Sequence, residues 1–296
     1  MKRDKGIQWH RVDAANLDLK GTSAAIVGGT GGLGRALAHV LASRGARVVV
    51  VGQTFRDAGV NGIEFVKADL SSMREAKRVA EVLAAGTLDL LVLTTGIFAG
   101  PKREETAEGL ERDMAVSYLS RLAILREIAP RLGKSRPAGK PKPRVFVMGY
   151  PGTGQAGSPD DLNAEKSYAA FPVHMNTVAG NEMLVLDAVK RYPELNVFGL
   201  NPGLIKTNIR ANFLGEGTLK MRVMESLIGL FTPSPEKYAE RLAPLLVSPE
   251  LEAHGGAMFD AKGNAILPSP KLTDATYVSA YIASSEALVS RAVSRA

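Results

Sequence analysis

The chain has 296 residues, 45% of them apolar, with a formal net charge of +7 and no cysteine. That length is enough to bury one large core, and the missing cysteines exclude a disulfide framework and a thiolate zinc site. No stretch approaches the ~20 apolar residues of a membrane span, and the opening Met1-Lys2-Arg3-Asp4-Lys5 lacks the apolar core of a secretion signal, so the sequence points to the cytoplasm.

The densest basic stretch, residues 134–144, contains Pro and Gly but no aromatic side chain. It reads as a surface linker, not as a nucleic-acid-binding stripe. No His/Asp/Glu set has metal-ligand spacing, and there is no G-x-S-x-G nucleophile elbow.

In chain order, residues 1–18 form an N-terminal extension, and residues 23–27 read as a strand. The run Gly28-Gly29-Thr30-Gly31-Gly32-Leu33-Gly34 then turns into a helix expected over residues 31–44. A strand, a tight glycine turn and a helix N-terminus bring backbone N–H groups and the positive helix end against a pyrophosphate. Gly28 permits the turn, Gly32 lets the backbone approach the ligand, and Gly34 lets helix and strand pack closely. Thr30, Gly31 and Leu33 complete the loop.

Residues 47–51 are a continuous β-branched run, as expected for a strand buried on both faces. Residues 63–66 are a third strand, and Ser72 with Glu75 forms a capping box opening a helix through Leu83. Residues 88–93 are a fourth strand. Apolar positions at Leu110, Met114, Tyr118, Leu122 and Leu125 predict one long helix over residues 106–132. Strands at 145–148 and 197–200 flank a helix at 172–192. A helix at 236–246, a short strand at 257–259 and a mostly helical segment at 272–292 close the chain. This alternation demands an α/β architecture of the Rossmann type: one doubly wound parallel sheet with helices on both faces, forming a single domain over residues 1–296.

The end of the second strand bears on the cofactor. An acid there would bond the adenosine ribose 2′-OH, but this chain has Gly52-Gln53-Thr54-Phe55-Arg56. The missing carboxylate removes the repulsion a 2′-phosphate would meet. Gln53 lies at this end, Thr54 and Arg56 are candidate phosphate ligands, and Arg35 is a further candidate cation. The charge argument favours NADP(H) over NAD(H).

These motifs resemble those of the short-chain dehydrogenase/reductase family. Gly28 to Gly34 resembles its glycine signature, with Val27 where Thr is usual. Asp69-Leu70 resembles its adenine-pocket pair, and Leu93-Thr94-Thr95-Gly96 stands where the family has Asn-Asn-Ala-Gly. Asn201-Pro202-Gly203-Leu204-Ile205-Lys206-Thr207 matches its Pro-Gly segment. The resemblance implies that Ile205 backbone and the Thr207 side chain meet the nicotinamide carboxamide and diphosphate.

The catalytic positions depart from the pattern. The family pairs a proton-donating Tyr with a Lys, a carbonyl-orienting Ser and a helix Asn. Those positions fall here on Pro172, Asn176, Tyr150 and Ser117 respectively. Proline cannot transfer a proton. Tyr150, at the carboxyl end of the fifth strand, is the first candidate donor; Tyr168 is the second and His174 the third. Asn176 is placed to bond a ribose hydroxyl but has no charge with which to acidify a phenol. Ser117 holds a water or closes a local network.

Residues 208–234 contain Phe213-Leu214, Met221, Met224, Leu227-Ile228 and Leu230-Phe231. A long apolar stretch after the Pro-Gly segment suits a C-terminal helical lid over a hydrophobic substrate. It equally suits ordinary core or a contact between copies of a homo-oligomer. The function expected is reduction of a hydrophobic small-molecule carbonyl, or oxidation of the matching alcohol, with a non-standard proton donor. The alternative is a catalytically silent NADP(H)-binding sensor.

Overall fold

A computed structural model describes residues 1–98, 100–203 and 233–295. Eight strands form one sheet: β1 (Ser23–Val27), β2 (Arg47–Gly52), β3 (Ile63–Lys67), β4 (Leu90–Leu93), β5 (Arg144–Met148), β6 (Asn196–Leu200), β7 (Met258–Phe259) and β8 (Ala265–Ile266). Their order is β3-β2-β1-β4-β5-β6-β7-β8. Every pairing is parallel except that of β7 with β8. The chain reverses its direction of travel at β1, which pairs β2 on one side and β4 on the other. Ligands of open α/β sheets bind at the carboxyl ends beside such a switch.

The helices are α1 (Gly32–Ser43), α2 (Met73–Val82), α3 (Arg112–Met114), α4 (Ser120–Ile128), α5 (Ala170–Arg191), α6 (Pro235–Val247) and α7 (Ala275–Ser294). Alternate strand residues feed opposite faces. Ala25, Val27, Leu91, Leu93, Val145 and Val147 pack with α2, α4, α5 and α7. Ala24, Ile26, Val48, Val50, Val92 and Phe146 pack with α1 and α6. The sheet is thus doubly wound, as the β-branched run of β2 implied.

Three elements differ from expectation. The long helix begins at Arg112, not Thr106, because Gly109 takes a φ of +78° and Glu105 bridges to Glu111 instead. Between α3 and α4 lies a π-helical turn, Ala115–Leu119, which carries Ser117; such turns cluster at functional sites. The antiparallel β8 was not expected. It is closed by an Asp260 turn in which the carboxylate accepts from Asn264 N at 2.9 Å, and it bridges to Arg3 of the N-terminal extension. The candidate lid lies outside the described residues but for Pro233 and Ser234, the latter the N-cap of α6.

The capping box forms by half. Ser72 Oγ accepts from Glu75 N at 3.2 Å, but the Glu75 carboxylate pairs with Arg78, and Ser72 N–H goes to Asp69 O at 3.2 Å. The buried carboxylate of Glu108 supplies the rest, accepting from Ser72 Oγ at 2.6 Å, Met73 N at 2.5 Å and Arg74 N at 3.3 Å. It holds a negative charge at the positive end of α2. Glu108→Ala is expected to lower unfolding free energy by about 2 kcal/mol, the worth of a charged hydrogen bond, read as an earlier urea midpoint.

Candidate active site

The glycine turn after β1 forms a cradle built by sterics. Gly28 leaves β1 with a φ of +90° and donates to Val51 O at 2.9 Å. A Cβ there would lie 2.6 Å from Thr95 N, so no side chain fits. A Cβ on Gly34 would strike the Gly28 carbonyl oxygen and lie 2.6 Å from Thr94 Oγ1. The close helix-to-strand approach expected at Gly34 is therefore made against the turned carbonyl of Gly28. Gly32 takes a φ of +49°. Gly31 is different: its backbone is extended, and a Cβ would meet nothing closer than Arg56 Nη1 at 3.9 Å. Protein packing does not require glycine there, and a side chain would only fill the open cradle. No side chain caps α1 at this position, so its first N–H groups have no intrahelical partner. Uncapped amides at a helix N-terminus, with room in front of them, fit a pyrophosphate.

The cleft continues from the cradle with a volume of about 580 Å³, lined by Gly28, Thr30, Gln53, Thr54, Arg56, Asp69, Leu70, Thr95, Gly96 and Ile97 among others. A space of that size suits a small-molecule ligand. Arg56 donates to Thr30 O at 2.9 Å, which holds its guanidinium over the loop. Arg35 turns away, bound through Nε and Nη2 to the buried Asp57 at 2.9 and 2.6 Å. Asp69 accepts from Ser71 N at 3.0 Å. Burial raises its pKa, but bonds from Ser71 and Gln53 and the charge of Arg112 outweigh this and leave it below the usual carboxylate value. Thr94 ties β4 to β1 through N and Oγ1, at 2.8 and 2.9 Å from Val27 O. Thr95 Oγ1 is buried and has no hydrogen-bond partner among the described residues.

Past Gly96 the cleft wall runs into a polar network. Ile97 N donates to Ser117 Oγ at 3.0 Å, and Ser117 Oγ donates to Asp113 Oδ1 at 2.5 Å. Asp113 Oδ2 lies 2.8 Å from His174 Nδ1. Asp113 is fully buried, and the His174 side chain is 16% exposed. Phe98 stacks on the His174 ring at 4.2 Å between centroids. The structure thus joins two expected residues, Ser117 and His174, through one that was not expected, Asp113. The i, i+4 spacing of Asp113 and Ser117 was the available signal.

The other candidates lie outside this network. Tyr150 sits at the end of β5 with a φ of +71° and its N–H 3.4 Å from Leu200 O. It is half-buried, and its hydroxyl bonds no described residue. Tyr168 donates its hydroxyl to Gly100 O at 2.7 Å. Burial, with Glu111, Asp113 and Glu104 nearby, pushes its pKa up to about 12. Asn176 Oδ1 accepts from Ser158 N at 2.9 Å. Pro202 follows Asn201, whose Oδ1 accepts from Gly203 N at 3.0 Å, and Gly203 takes a φ of +68°. Ile205 and Thr207 lie outside the described residues.

A buried cation not expected from the sequence joins the strand ends. Arg121, 3% exposed, donates from Nε to Thr95 O at 3.1 Å and from Nη1 to Met148 O at 2.5 Å and Asn181 Oδ1 at 2.9 Å; Nη2 also meets Thr95 O. Asn181 Nδ2 donates to Ser117 O at 2.8 Å. One guanidinium thus ties the carboxyl ends of β4 and β5 to α5. Burial pushes its pKa down to about 9. A lone arginine within the apolar run Leu119-Ser-Arg-Leu-Ala-Ile-Leu125 was the signal.

Among the described residues no helix is long and apolar enough to cross a membrane. Residues 22–140 match the short chain dehydrogenase family. The uncharacterized oxidoreductase YKL107W of Saccharomyces cerevisiae is 51% identical over 99% of this chain and 96% of its own length. Human retinol dehydrogenase 14 is 27% identical over 84% of this chain and 81% of its own. A crystal structure of an uncharacterized protein from Mycobacterium paratuberculosis superposes with a TM-score of 0.70 at 21% identity, covering 94% of this chain and 97% of that one, and shares the fold. A doubly wound sheet, a glycine cradle at its switch point and a relative matched over almost the whole chain identify this protein as an oxidoreductase of the short-chain dehydrogenase/reductase family.

Proposed function

We propose that this chain is an NADP(H)-dependent oxidoreductase that reduces a carbonyl of a hydrophobic small molecule, or oxidises the corresponding alcohol, with a proton donor other than the family's Tyr-Lys pair. The observation that carries the cofactor reading is Arg56, held over Thr30 at a β2 terminus that has no carboxylate. A cation there attracts a 2′-phosphate, and an acid there would repel it. When bound, the nicotinamide supplies the hydride. The uncapped N–H groups of α1 would hold the diphosphate, Gln53, Thr54 and Arg56 would bind the phosphorylated ribose, and Asp69 and Leu70 would take the adenine. A hydrophobic substrate is supported by the apolar content of residues 208–234 and by the retinol dehydrogenase relative.

Arg56→Glu is expected to weaken NADPH binding about tenfold or more, the worth of one charge-assisted hydrogen bond, and to leave NADH affinity nearly unchanged. Fluorescence titration with both cofactors reads the difference; equal losses would remove the phosphate role. Turnover is tested by following NADPH absorbance with a panel of quinones, aryl ketones and polyketide-like ketones. Oxidation by at least one is expected. Tight binding with no oxidation by any of them would contradict the enzymatic reading.

A further inference from the structure

We infer that His174 is the proton donor of this site and that Asp113 is the positioning residue that aims it, with Ser117 holding Asp113 in place. The inference rests on the reductase reading above and names the group that reading left open.

Ser117 has one hydroxyl proton, and its shortest contact is the Asp113 Oδ1 carboxylate oxygen at 2.5 Å. Its oxygen accepts from Ile97 N at 3.0 Å. Asp113 Oδ1 is thereby occupied, and Oδ2 faces His174 Nδ1 at 2.8 Å. A carboxylate only accepts, so Nδ1 must carry a hydrogen in both states of the ring. Nε2 is left as the exchanging nitrogen, and among the described residues nothing hydrogen-bonds it. Phe98, stacked on the ring, fixes the remaining rotation. The arrangement is the one by which a buried carboxylate sets a histidine tautomer and stabilises its imidazolium.

The surroundings support this assignment. The Ser117 anchor is the cleft-lining residue Ile97, so the network is continuous with the wall of the cofactor cleft. The charged and titratable groups whose fields reach Asp113 are Glu111 at the start of α3, Tyr168 before α5 and the buried Arg121 of α4. Burial raises the pKa of Glu111. The Arg121 charge acts on the Asp113 side of the network. Tyr168 is engaged with Gly100, and burial raises its pKa. In this cluster His174 joins a partly exposed ring to an orientation held by Asp113 and Phe98.

In the step itself, hydride adds to the carbonyl carbon and the C=O π pair moves to oxygen. That oxygen takes the Nε2 proton of the imidazolium. The product is the alcohol; the ring is left neutral with its hydrogen on Nδ1, and it recovers a proton from water.

The test uses the full chain, uniformly labelled with nitrogen-15, and reads the imidazole nitrogens by NMR. The chain has four histidines, and His174→Gln identifies the signals of interest by their loss. In the wild-type protein the neutral ring is expected to hold its hydrogen on Nδ1. In Asp113→Asn the amide oxygen stays with Ser117 and the NH2 group turns to Nδ1, so the hydrogen moves to Nε2. Both variants should lose about 10²–10⁴-fold in kcat for reduction, the range of general acid catalysis, with NADPH affinity retained. A wild-type neutral ring protonated on Nε2 would overturn the inference, as would wild-type kcat in both variants. If the wild-type protein binds NADPH but reduces no ketone, the reductase reading fails by itself, and the nitrogen signals still decide whether Asp113 sets the ring.

Discussion

Gly34→Ala is expected to weaken dinucleotide binding by about 10–100-fold and to lower stability together with it. The added Cβ would strike the carbonyl oxygen of Gly28 and crowd Thr94 Oγ1 at 2.6 Å. Both contacts are rigid: one is backbone, and the other hydroxyl is bound to Val27 O at 2.9 Å. The first turn of α1 must therefore move off the sheet, and its N–H groups lose their aim at the diphosphate. Losing one charge-assisted hydrogen bond costs about 1.5–3 kcal/mol, which is the stated loss in affinity. Overpacking a tight contact costs about 1–3 kcal/mol of folding free energy. Calorimetric titration and urea unfolding of the same variant read the two effects. Gly31→Ala is the informative control: its Cβ meets no protein atom within 3.9 Å, so it should reduce binding with little change in the urea midpoint.

Arg121→Met is expected to be the most destabilising of the substitutions named, by about 3–5 kcal/mol. The methionine fills much of the volume but leaves Thr95 O, Met148 O and Asn181 Oδ1 without this donor. Buried acceptors stripped of their partners cost about 1–3 kcal/mol each. Arg121→Lys keeps the charge, yet one ammonium cannot reproduce the planar fork that reaches β4, β5 and α5 together. It should recover only part of the loss. Urea unfolding reads both variants, and a shift of less than about 1 kcal/mol for Arg121→Met would show that the strand ends hold without the guanidinium.

The glycine turn between β1 and α1 was legible because its geometry is local. A strand, a glycine turn and a helix N-terminus follow one another without interruption from Ser23 to Ser43, and Gly28 and Gly34 have steric tasks readable from their spacing. The end of β2 and Asp69-Leu70 are equally close to their strands. The network of Ser117, Asp113 and His174 was less legible because its contacts are distant in sequence. His174 meets Asp113 across 61 residues, and a single chain gives no local mark of that meeting. The long-helix expectation failed at its start for a related reason. The apolar period runs on through Leu110, but Gly109 with a φ of +78° and the capping role of Glu108 break the helix there. Arg121 was passed over because a helix with a periodic apolar stripe suggests a solvated opposite face. In the structure every residue from Ser120 to Leu125 is buried, so the arginine has no such face to occupy. The strand β8 has two residues and leaves no periodic trace at all.

On the proposed reading, the cradle between β1 and α1 holds the diphosphate of a nicotinamide dinucleotide and Arg56 holds its 2′-phosphate. Calorimetric titration of the wild-type chain with NADPH, and then with NADH, is expected to give one saturable site per chain, tighter for NADPH than for NADH, with the NADPH advantage lost in Arg56→Glu. A titration without saturable heat for either cofactor, or binding that Gly34→Ala leaves untouched, would contradict it.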